Sequence, residues 1–292
     1  MSHRLVQIVC ALIAVVTFFG GLALMRPWGE NWNATPAETH LALAGDDLVP
    51  AAQRTTMAIT IHAPAAQVWP WVAQMGAGRG GLYSYEWFEN MINCQMVNSN
   101  NIRPEFQDIK PGELVRMCAG DFGPPPWVVR DLVPGQALIL GGKDKDGTQW
   151  TSSINQIVVS PINAQTTRVF WRSSMAEASL FDALLGPGFF IMQRRSLLGI
   201  QERVEGTILP WFALDAGLAF WLFCFLGFLI SVAATVLRRN WRAAFLASLV
   251  AALITLFLVM DMPPVWLDLL GTIFVMVAVT LSFATPRIGL AN

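Results

Sequence analysis

The chain has 292 residues, of which 54% are hydrophobic and 13% are charged, and its formal net charge is −1. A soluble domain is about a quarter charged, so a large part of this chain must lie in a medium other than water. The near-neutral charge and the lack of a long basic stripe in the sequence argue against nucleic acid as a partner.

Four apolar runs predict membrane spans. Residues 5–25, 216–237 and 243–260 carry no charged side chain, and residues 265–285 carry only Asp268. A helix needs about 20 residues to cross about 30 Å of hydrocarbon, so the third run is marginal in length and the other three are sufficient. The sequence therefore predicts one span near the N-terminus and about three near the C-terminus.

The first run is either an uncleaved anchor or a signal peptide. His3 and Arg4 form a short basic region before it, as in a signal peptide. The run is long, however, and continues into Arg26 rather than into a clear cleavage site, which favours the anchor. We therefore expect three parts: an N-terminal transmembrane anchor at 1–26, a folded domain at 27–208 and a membrane domain of about three helices at 209–292.

The first half of the domain is predicted to contain one strand and two short helices. Residues 26–50 carry turn-forming residues and no sustained period, and we interpret them as an extended lead-in. Residues 54–62 alternate between apolar and polar, which predicts a half-buried strand. A helix should follow Pro64, bent or shortened by Pro70, and a second should cover residues 85–92.

Five strand-like runs follow, separated by turn signals, which predicts antiparallel strands joined by hairpins. They cover residues 114–117, 127–133, 137–140, 150–159 and 166–173. A long amphipathic helix should then begin at Pro187. Its apolar face carries Phe190, Leu197, Ile200, Val204 and Ile208, and the opposite face carries Arg194, Arg195, Gln201, Glu202 and Glu205. This order predicts an α+β fold in which a curved antiparallel sheet wraps a long C-terminal helix around a cavity.

The arginines beside the spans predict the orientation of the chain, because short cytoplasmic segments carry the excess of Lys and Arg. One side carries Arg4, Arg238, Arg239, Arg242 and Arg287, and the other carries Arg26 and Arg203. Both termini should therefore be cytoplasmic and the domain extracytoplasmic, in the plasma or inner membrane.

Two cysteines of the domain, Cys94 and Cys118, are either free core thiols or a disulfide. The disulfide requires an oxidising compartment, and the predicted orientation makes the two interpretations equally tenable. The sequence contains no CxxC motif and no Cys/His spacing typical of a metal site, so we expect no metal.

Residues 76–81 formally match the motif G-x-G-x-x-G. A dinucleotide site needs those glycines after a strand and at the start of a helix, whereas here a helix precedes them and no βαβ pattern follows. We therefore interpret the run as a backbone that turns sharply or passes close to another segment, and we expect no cofactor.

The densest polar and aromatic cluster of the sequence spans residues 79–90. Residues of these types beside glycines can line the mouth of a pocket and orient a ligand. The alternative is a capping and packing segment with an internal ion pair between Arg79 and a glutamate. Our candidates for ligand binding are Arg79, Tyr83, Tyr85, Trp87 and Glu89 from this cluster, and Leu197, Ile200 and Val204 from the long helix.

Six stretches of the chain together resemble a known family: they lie within Trp32–Thr35, Gly45–Pro50, Ala63–Trp71, Met75–Gly81, Tyr83–Asn90 and Gly199–Arg203. They are similar to bacterial proteins of the SRPBCC superfamily, which includes START-like proteins, polyketide cyclases/dehydrases and lipid-transport proteins. The resemblance covers roughly residues 28–206 and implies a helix-grip fold with an internal hydrophobic cavity. It implies no catalytic motif, and the spans lie outside the shared domain.

Three functions fit these expectations. The first is a membrane-tethered binding module for a small hydrophobic or lipid-like ligand, with membrane lipids as partners. The second is an enzyme of the polyketide cyclase/dehydrase type that acts on such a ligand, with Tyr83, Tyr85, Glu86 or Glu89 as acid or base. The third is a structural or assembly subunit whose spans contact another membrane protein.

Overall fold

The computed structural model describes residues 3–50, 52–119, 125–144, 146–176, 180–261 and 265–284. The chain divides into two compact units, one formed by Met1–Arg26 with Pro210–Asn292 and the other by Pro27–Leu209. The first is the membrane unit, and the second is the folded domain.

The membrane unit is built from four long helices: α1 (His3–Glu30), α6 (Trp211–Leu237), α7 (Trp241–Asp261) and α8 (Val265–Ala284). Each is long and apolar enough to cross a membrane. Phe18 of α1 packs against Phe228 of α6, with ring centroids 5.0 Å apart. The four predicted spans are therefore confirmed as apolar helices, and the chain fits a membrane protein. Thr285, at the end of the last predicted span, and Arg287 lie outside the described residues.

The domain is built on an antiparallel sheet whose described strands have the order β1-β6-β5-β4-β3-β2. The strands are β1 (Gln53–Ile61), β2 (Leu114–Val115), β3 (Trp127–Val133), β4 (Ala137–Lys143), β5 (Trp150–Asn163) and β6 (Thr166–Met175). The helices of the domain are α2 (Pro36–Thr39), α3 (Ala65–Ala73), α4 (Glu86–Met91) and α5 (Leu180–Glu205), with 3-10 turns at Asp46–Leu48 and Pro104–Phe106. The predicted α+β class and antiparallel pairing are confirmed.

One face of the sheet is covered by the lead-in. Gln156 of β5 donates a hydrogen bond to the carbonyl of Ala44 at 3.0 Å, and Val49 lies in a buried cluster with Ile139 and Ile154. The lead-in contains α2 and a 3-10 turn, so the expectation of an extended segment is wrong. Its apolar residues are too irregularly spaced to show a period, yet they complete the core on this face.

The side chain of Arg172 on β6 connects the lead-in to the sheet through hydrogen bonds and an ion pair. Its side chain is 1% exposed and donates to Asp46 Oδ2 at 2.7 Å, to the Leu41 carbonyl at 2.7 Å and to Thr56 Oγ1 at 2.9 Å. Burial lowers the pKa of the guanidinium, and the charge of Asp46 opposes this shift. A buried cation of this kind is tolerated only while its partners stay in place.

The other face of the sheet carries α3 and α5. Helix α5 begins at Leu180, so the predicted start at Pro187 is wrong. Two residues of the predicted charged face are buried, since Arg194 and Arg195 are 1% and 3% exposed. Arg195 forms an ion pair with Glu202 two turns further along the helix.

A second segment of the chain covers the C-terminal half of α5. Gly199 approaches Tyr83 so closely that a Cβ atom would overlap the Tyr83 carbonyl oxygen. Arg203 donates to the Ser99 carbonyl at 2.7 Å and to Asn100 Oδ1 at 2.9 Å. At Gly199 and Arg203 helix α5 is therefore enclosed between the sheet and residues 83–100. Arg194 lies instead over the rings of Phe190 at 4.7 Å and Trp32 at 5.9 Å.

Candidate functional site

The row of α5 side chains that faces the sheet begins with a polar residue. Gln193, Leu197, Ile200 and Val204 follow the i, i+4, i+7, i+11 spacing that places side chains on one face of a helix. Leu197 and Ile200 are fully buried, and Val204 is half-buried. These three ligand-binding candidates therefore share a face with Gln193, which the sequence did not single out.

Gln193 belongs to a polar cluster between α5 and the sheet, which consists of Asn155, Trp171, Ser173 and Gln193 and which we call the inner-face cluster. Asn155 Oδ1 accepts hydrogen bonds from Trp171 Nε1 at 3.1 Å, from Ser173 Oγ at 2.8 Å and from Gln193 Nε2 at 3.3 Å. Gln193 Nε2 also donates to Ser173 Oγ at 3.0 Å. The side-chain oxygen of Asn155 on β5 thus accepts hydrogen bonds from two residues of β6 and one of α5.

Two polar groups of the inner-face cluster stay available for a ligand. Within the described part of the chain, neither Asn155 Nδ2 nor Gln193 Oε1 has a hydrogen-bond partner. Both residues are half-buried. Neither atom is among the fully buried polar atoms without a partner, so solvent reaches both and a ligand can replace it there. The two groups present one donor and one acceptor, which together match a hydroxyl group, and the donor alone matches a carbonyl oxygen.

Apolar side chains adjoin the inner-face cluster on the same face of the sheet. Trp127 of β3 meets Trp171 edge-on, with ring centroids 6.4 Å apart. Leu140 is the register partner of Asn155, and Val129 is the register partner of Leu140. None of the four residues of the inner-face cluster is charged. The surroundings therefore suit an apolar molecule that carries one uncharged polar group.

The structure places Arg79 between the end of α3, the 3-10 turn at Pro104–Phe106 and Glu113. Its guanidinium donates to the carbonyls of Ala73 and Phe106, both at 3.1 Å, and lies over the Phe106 ring at 5.0 Å. It also forms an ion pair with Glu113 at 3.1 Å. The glutamate partner of Arg79 thus comes from outside residues 79–90, and Arg79 is engaged in holding these segments together.

Tyr83 is part of the core behind α5. It is 1% exposed, its hydroxyl donates to the Trp71 carbonyl at 2.9 Å, and the Arg203 guanidinium lies over its ring at 4.6 Å. Burial raises the pKa of the hydroxyl, and this effect outweighs the opposing influence of Gln74, Arg203 and Arg79. The phenol is therefore a neutral hydrogen-bond donor to the backbone, which does not suit the role of a base.

The remaining candidates of residues 79–90 divide between core and surface. Tyr85 and Glu89 are both 5% exposed, and Glu89 accepts a hydrogen bond from Ser84 Oγ. Glu86 accepts a backbone hydrogen bond at 2.8 Å, and Trp87 is 44% exposed. In the described residues, no group of three or more His, Cys, Asp or Glu is placed to hold a metal ion.

A disulfide joins Cys94 to Cys118, with Cα atoms 4.4 Å apart. The backbone N–H of Ala119 donates to the Cys94 carbonyl at 2.8 Å. The residues on either side of Cys94 have positive φ, 61° at Asn93 and 50° at Gln95. Because side chains disfavour this region, the segment after α4 is held by its cross-link and hydrogen bonds rather than by local preference.

The glycine run forms a tight loop that is closed by hydrogen bonds between its own backbone groups. Gly76 and Gly81 exchange backbone hydrogen bonds at 2.9 and 3.0 Å. Both have positive φ, as does Gly78. A Cβ at Gly81 would lie 2.7 Å from the Val97 carbonyl oxygen. These glycines therefore allow a sharp turn and a close approach between two backbone segments.

No family model and no curated protein matches this sequence. Two solved structures are similar to the chain at a low level. One is a conserved protein of unknown function, EF2215 from Enterococcus faecalis, with 13% identity and a TM-score of 0.33, over 54% of this chain and 74% of the other. The second is MLL2253 from Mesorhizobium loti, with 12% identity and a TM-score of 0.32, over 54% of this chain and all of the other. At these scores the likeness carries no argument about fold or function.

Sequence reasoning missed Asn155, Ser173 and Gln193, although a pattern in β5 points to the first of them. Thr151, Ser153 and Asn155 occupy alternate positions and so share one face of the strand. Further along the same face the residues are apolar. When one face of a strand changes from polar to apolar half-way along, the polar half either lines a binding site or is exposed to solvent. The position of α5 over this face is needed to distinguish the two.

Proposed function

We propose that this protein is a membrane-tethered binding domain for a small hydrophobic or lipid-like ligand. In this proposal the sheet and α5 form the helix-grip arrangement implied by the SRPBCC resemblance, and the ligand lies between them. The observation that carries the proposal is the inner-face cluster. There Asn155 Nδ2 and Gln193 Oε1 lack partners among the described residues, and the indole rings of Trp127 and Trp171 lie alongside.

The ligand should carry an uncharged polar group such as a hydroxyl or a carbonyl. Desolvation of a carboxylate or an amine is costly unless an opposite charge compensates for it. Neither Asn155, Ser173 nor Gln193 can supply that charge. The apolar part of the ligand would then lie along Trp127 and Leu140, where the gain is about 25 cal/mol for each Å² of apolar surface removed from water.

Binding is supported over catalysis because the acid and base candidates have structural partners. The Tyr83 hydroxyl is bound to a backbone carbonyl in the core, and Glu86 accepts a backbone hydrogen bond. Glu89 is buried beside Ser84. A base must reach the proton that it removes, and these side chains are oriented toward protein groups.

Lipids of the surrounding bilayer are the proposed source of the ligand. We place the domain on the extracytoplasmic side of the plasma or inner membrane, with both termini in the cytoplasm. The distribution of arginines beside the spans supports this orientation. The Cys94–Cys118 disulfide supports it too, because disulfides persist in oxidising compartments.

Photo-crosslinking in a bilayer tests the proposal. The full chain is reconstituted into nanodiscs with a long-chain alcohol that carries a photoreactive diazirine, or with the corresponding fatty acid, and the labelled peptides are mapped by mass spectrometry. The alcohol should label peptides of β3–β5 and of α5 near Gln193 more strongly than the acid does. Labelling of the spans by both probes provides the internal reference.

Two tryptophan variants provide a matched control. Trp127→Ala removes the ring beside the inner-face cluster, whereas Trp150→Ala removes a ring that lies under Arg130 and Lys143, close to Gly141. Domain labelling should fall in Trp127→Ala and stay unchanged in Trp150→Ala. Labelling confined to the spans in the wild type would reject the binding domain and favour the assembly subunit.

A further inference from the structure

Helix α4 and the residue after it expose apolar side chains, and the helix buries a carboxylate, which is the reverse of a helix on the surface of a soluble domain. Glu89 is 5% exposed, whereas Trp87, Met91 and Ile92 are 44%, 62% and 56% exposed. Trp87 and Met91 are one turn apart, so they lie on the same face of the helix. A soluble domain would bury the apolar residues of such a helix and expose the carboxylate.

The segment is held firmly in this orientation. The side chain of Asn90 accepts a hydrogen bond from Met96 N at 2.6 Å and donates to the Met96 carbonyl at 2.9 Å. The Cys94–Cys118 disulfide lies between these two points. The next residue, Val97, is 68% exposed. The exposed apolar residues are thus a fixed surface.

The exposed apolar residues of this segment are Trp87, Met91, Ile92 and Val97, which together we call the α4 patch. We propose that the α4 patch inserts into the interfacial region of the lipid bilayer. The domain occupies Pro27–Leu209, α1 runs to Glu30, and α6 begins at Trp211. At its N-terminal end the domain therefore includes the last residues of α1, and at its C-terminal end one residue, Pro210, precedes α6. The chain thus connects the domain directly to a long apolar helix at both ends.

The chemistry of the α4 patch suits a bilayer interface. Tryptophan is enriched there, and exposed aliphatic side chains gain by entering the acyl boundary. The two acids of α4 do not oppose insertion, because Glu89 is buried and Glu86 accepts a hydrogen bond from the Asn98 backbone.

The size of the α4 patch argues for lipid rather than for a second copy of the chain. Four side chains expose at most a few hundred Å², whereas a stable dimer buries about 800 Å² on each partner. A weak contact with the bilayer is sufficient here, because the spans already hold the domain at a high effective concentration near the surface.

Depth-dependent fluorescence quenching tests the proposal in the full chain. Met91→Cys is labelled with an environment-sensitive nitrobenzoxadiazole dye in a background of Cys10→Ser and Cys224→Ala, with the disulfide left intact. Ile162→Cys carries the same dye as control, since Ile162 is also apolar and 58% exposed but lies near the β5–β6 hairpin. Both are reconstituted into vesicles of phosphatidylcholine with or without lipids that carry a doxyl quencher near the headgroup.

The dye at position 91 should lose most of its emission to the doxyl lipids and shift to the blue, whereas the dye at position 162 should do neither. Replacing Trp87 and Ile92 by serine should reduce the quenching at position 91 without unfolding the domain, because both side chains are exposed. Equal quenching at the two positions, or none at position 91, would overturn the proposal. A blue shift at position 91 without doxyl quenching would also overturn it and would indicate a protein partner on the α4 patch.

Discussion

Gly199 of α5 lies directly against the backbone of Tyr83. A Cβ atom at position 199 would overlap the Tyr83 carbonyl oxygen and would lie 2.6 Å from its Cβ. Tyr83 itself has a φ of 60°, which side chains disfavour, and is buried. This contact sets the distance between α5 and residues 83–100, so the helix cannot carry a side chain at this point without moving.

Gly199→Ala should destabilise the domain by about 1–3 kcal/mol, because overpacking a buried contact shifts the backbone. Gly188→Ala in the same helix is the matched control, since apart from the neighbouring residues and the backbone of α5 no described atom lies within 4 Å of the added methyl group. That variant should be neutral or stabilised by up to about 1 kcal/mol, because alanine favours the helix. Pulse proteolysis of the domain across a urea series in the full-length protein measures both.

Asp46→Ala should cost about 3–5 kcal/mol, because it leaves Arg172 buried without its carboxylate. The lead-in should then detach from the sheet, which hydrogen exchange in β1 and β6 would report. Asp47→Ala provides the control, since Asp47 is the exposed neighbour. Similar exchange in the two variants would show that Arg172 does not depend on Asp46.

Glu38 should make the stability of the domain depend on acid pH. Burial by itself would raise the pKa of Glu38, but hydrogen bonds from Arg168 and Thr35 and the charge of Arg168 outweigh it and lower the pKa. A lowered folded-state pKa adds stability above the unfolded value of about 4.3, and this stability is lost as the pH falls through the folded value.

Glu38→Gln should therefore be less stable than the wild type at neutral pH, by about 0.2–1 kcal/mol for a partly exposed ion pair. The difference should shrink as the pH is lowered below about 4. Urea titrations of both proteins at several pH values measure it. A difference that is constant with pH would contradict the assignment to this carboxylate.

Alanine substitutions in the glycine run should lower the stability of the domain, by an amount that depends on φ and on neighbouring atoms. The run should not bind nucleotides. Gly78→Ala should cost about 1–2 kcal/mol, because φ is positive there although the space is open. Gly81→Ala should cost more, because it adds the overlap with the Val97 carbonyl to the same strain. Isothermal titration should detect no binding of NAD or ATP, and saturable binding of either would contradict the structural interpretation of the run.

The proposed membrane orientation predicts that cysteines at two exposed positions, 146 and 240, react with a maleimide from opposite sides of the membrane. Asp146→Cys in the β4–β5 turn should react with a membrane-impermeant maleimide in intact cells, in a background of Cys10→Ser and Cys224→Ala. Asn240→Cys between α6 and α7 should react only after lysis. The reverse pattern would place the domain in the cytoplasm.

Local patterns in the sequence are sufficient to predict several elements of this fold. Four spans follow from apolar runs of about 20 residues, three of them uncharged and the fourth with Asp268 alone, because hydrocarbon thickness dictates the length. Strand β1 follows from its alternation, although the expectation that it is half-buried is wrong, since residues of the lead-in cover Thr56 and Ala58 as well. The hairpin strands follow from their turn signals. These features need no knowledge of what packs against them.

Which polar side chains are buried depends on contacts between distant segments of the chain. Arg194 and Arg195 have the spacing of a solvated helix face, and Glu89 resembles an ordinary surface acid, yet all three are buried. Conversely, Met91 is exposed. The inner-face cluster joins Asn155 to Gln193, which are 38 positions apart. Burial depends on which distant segment covers a face, and the periodicity of a single helix or strand carries no information about that segment.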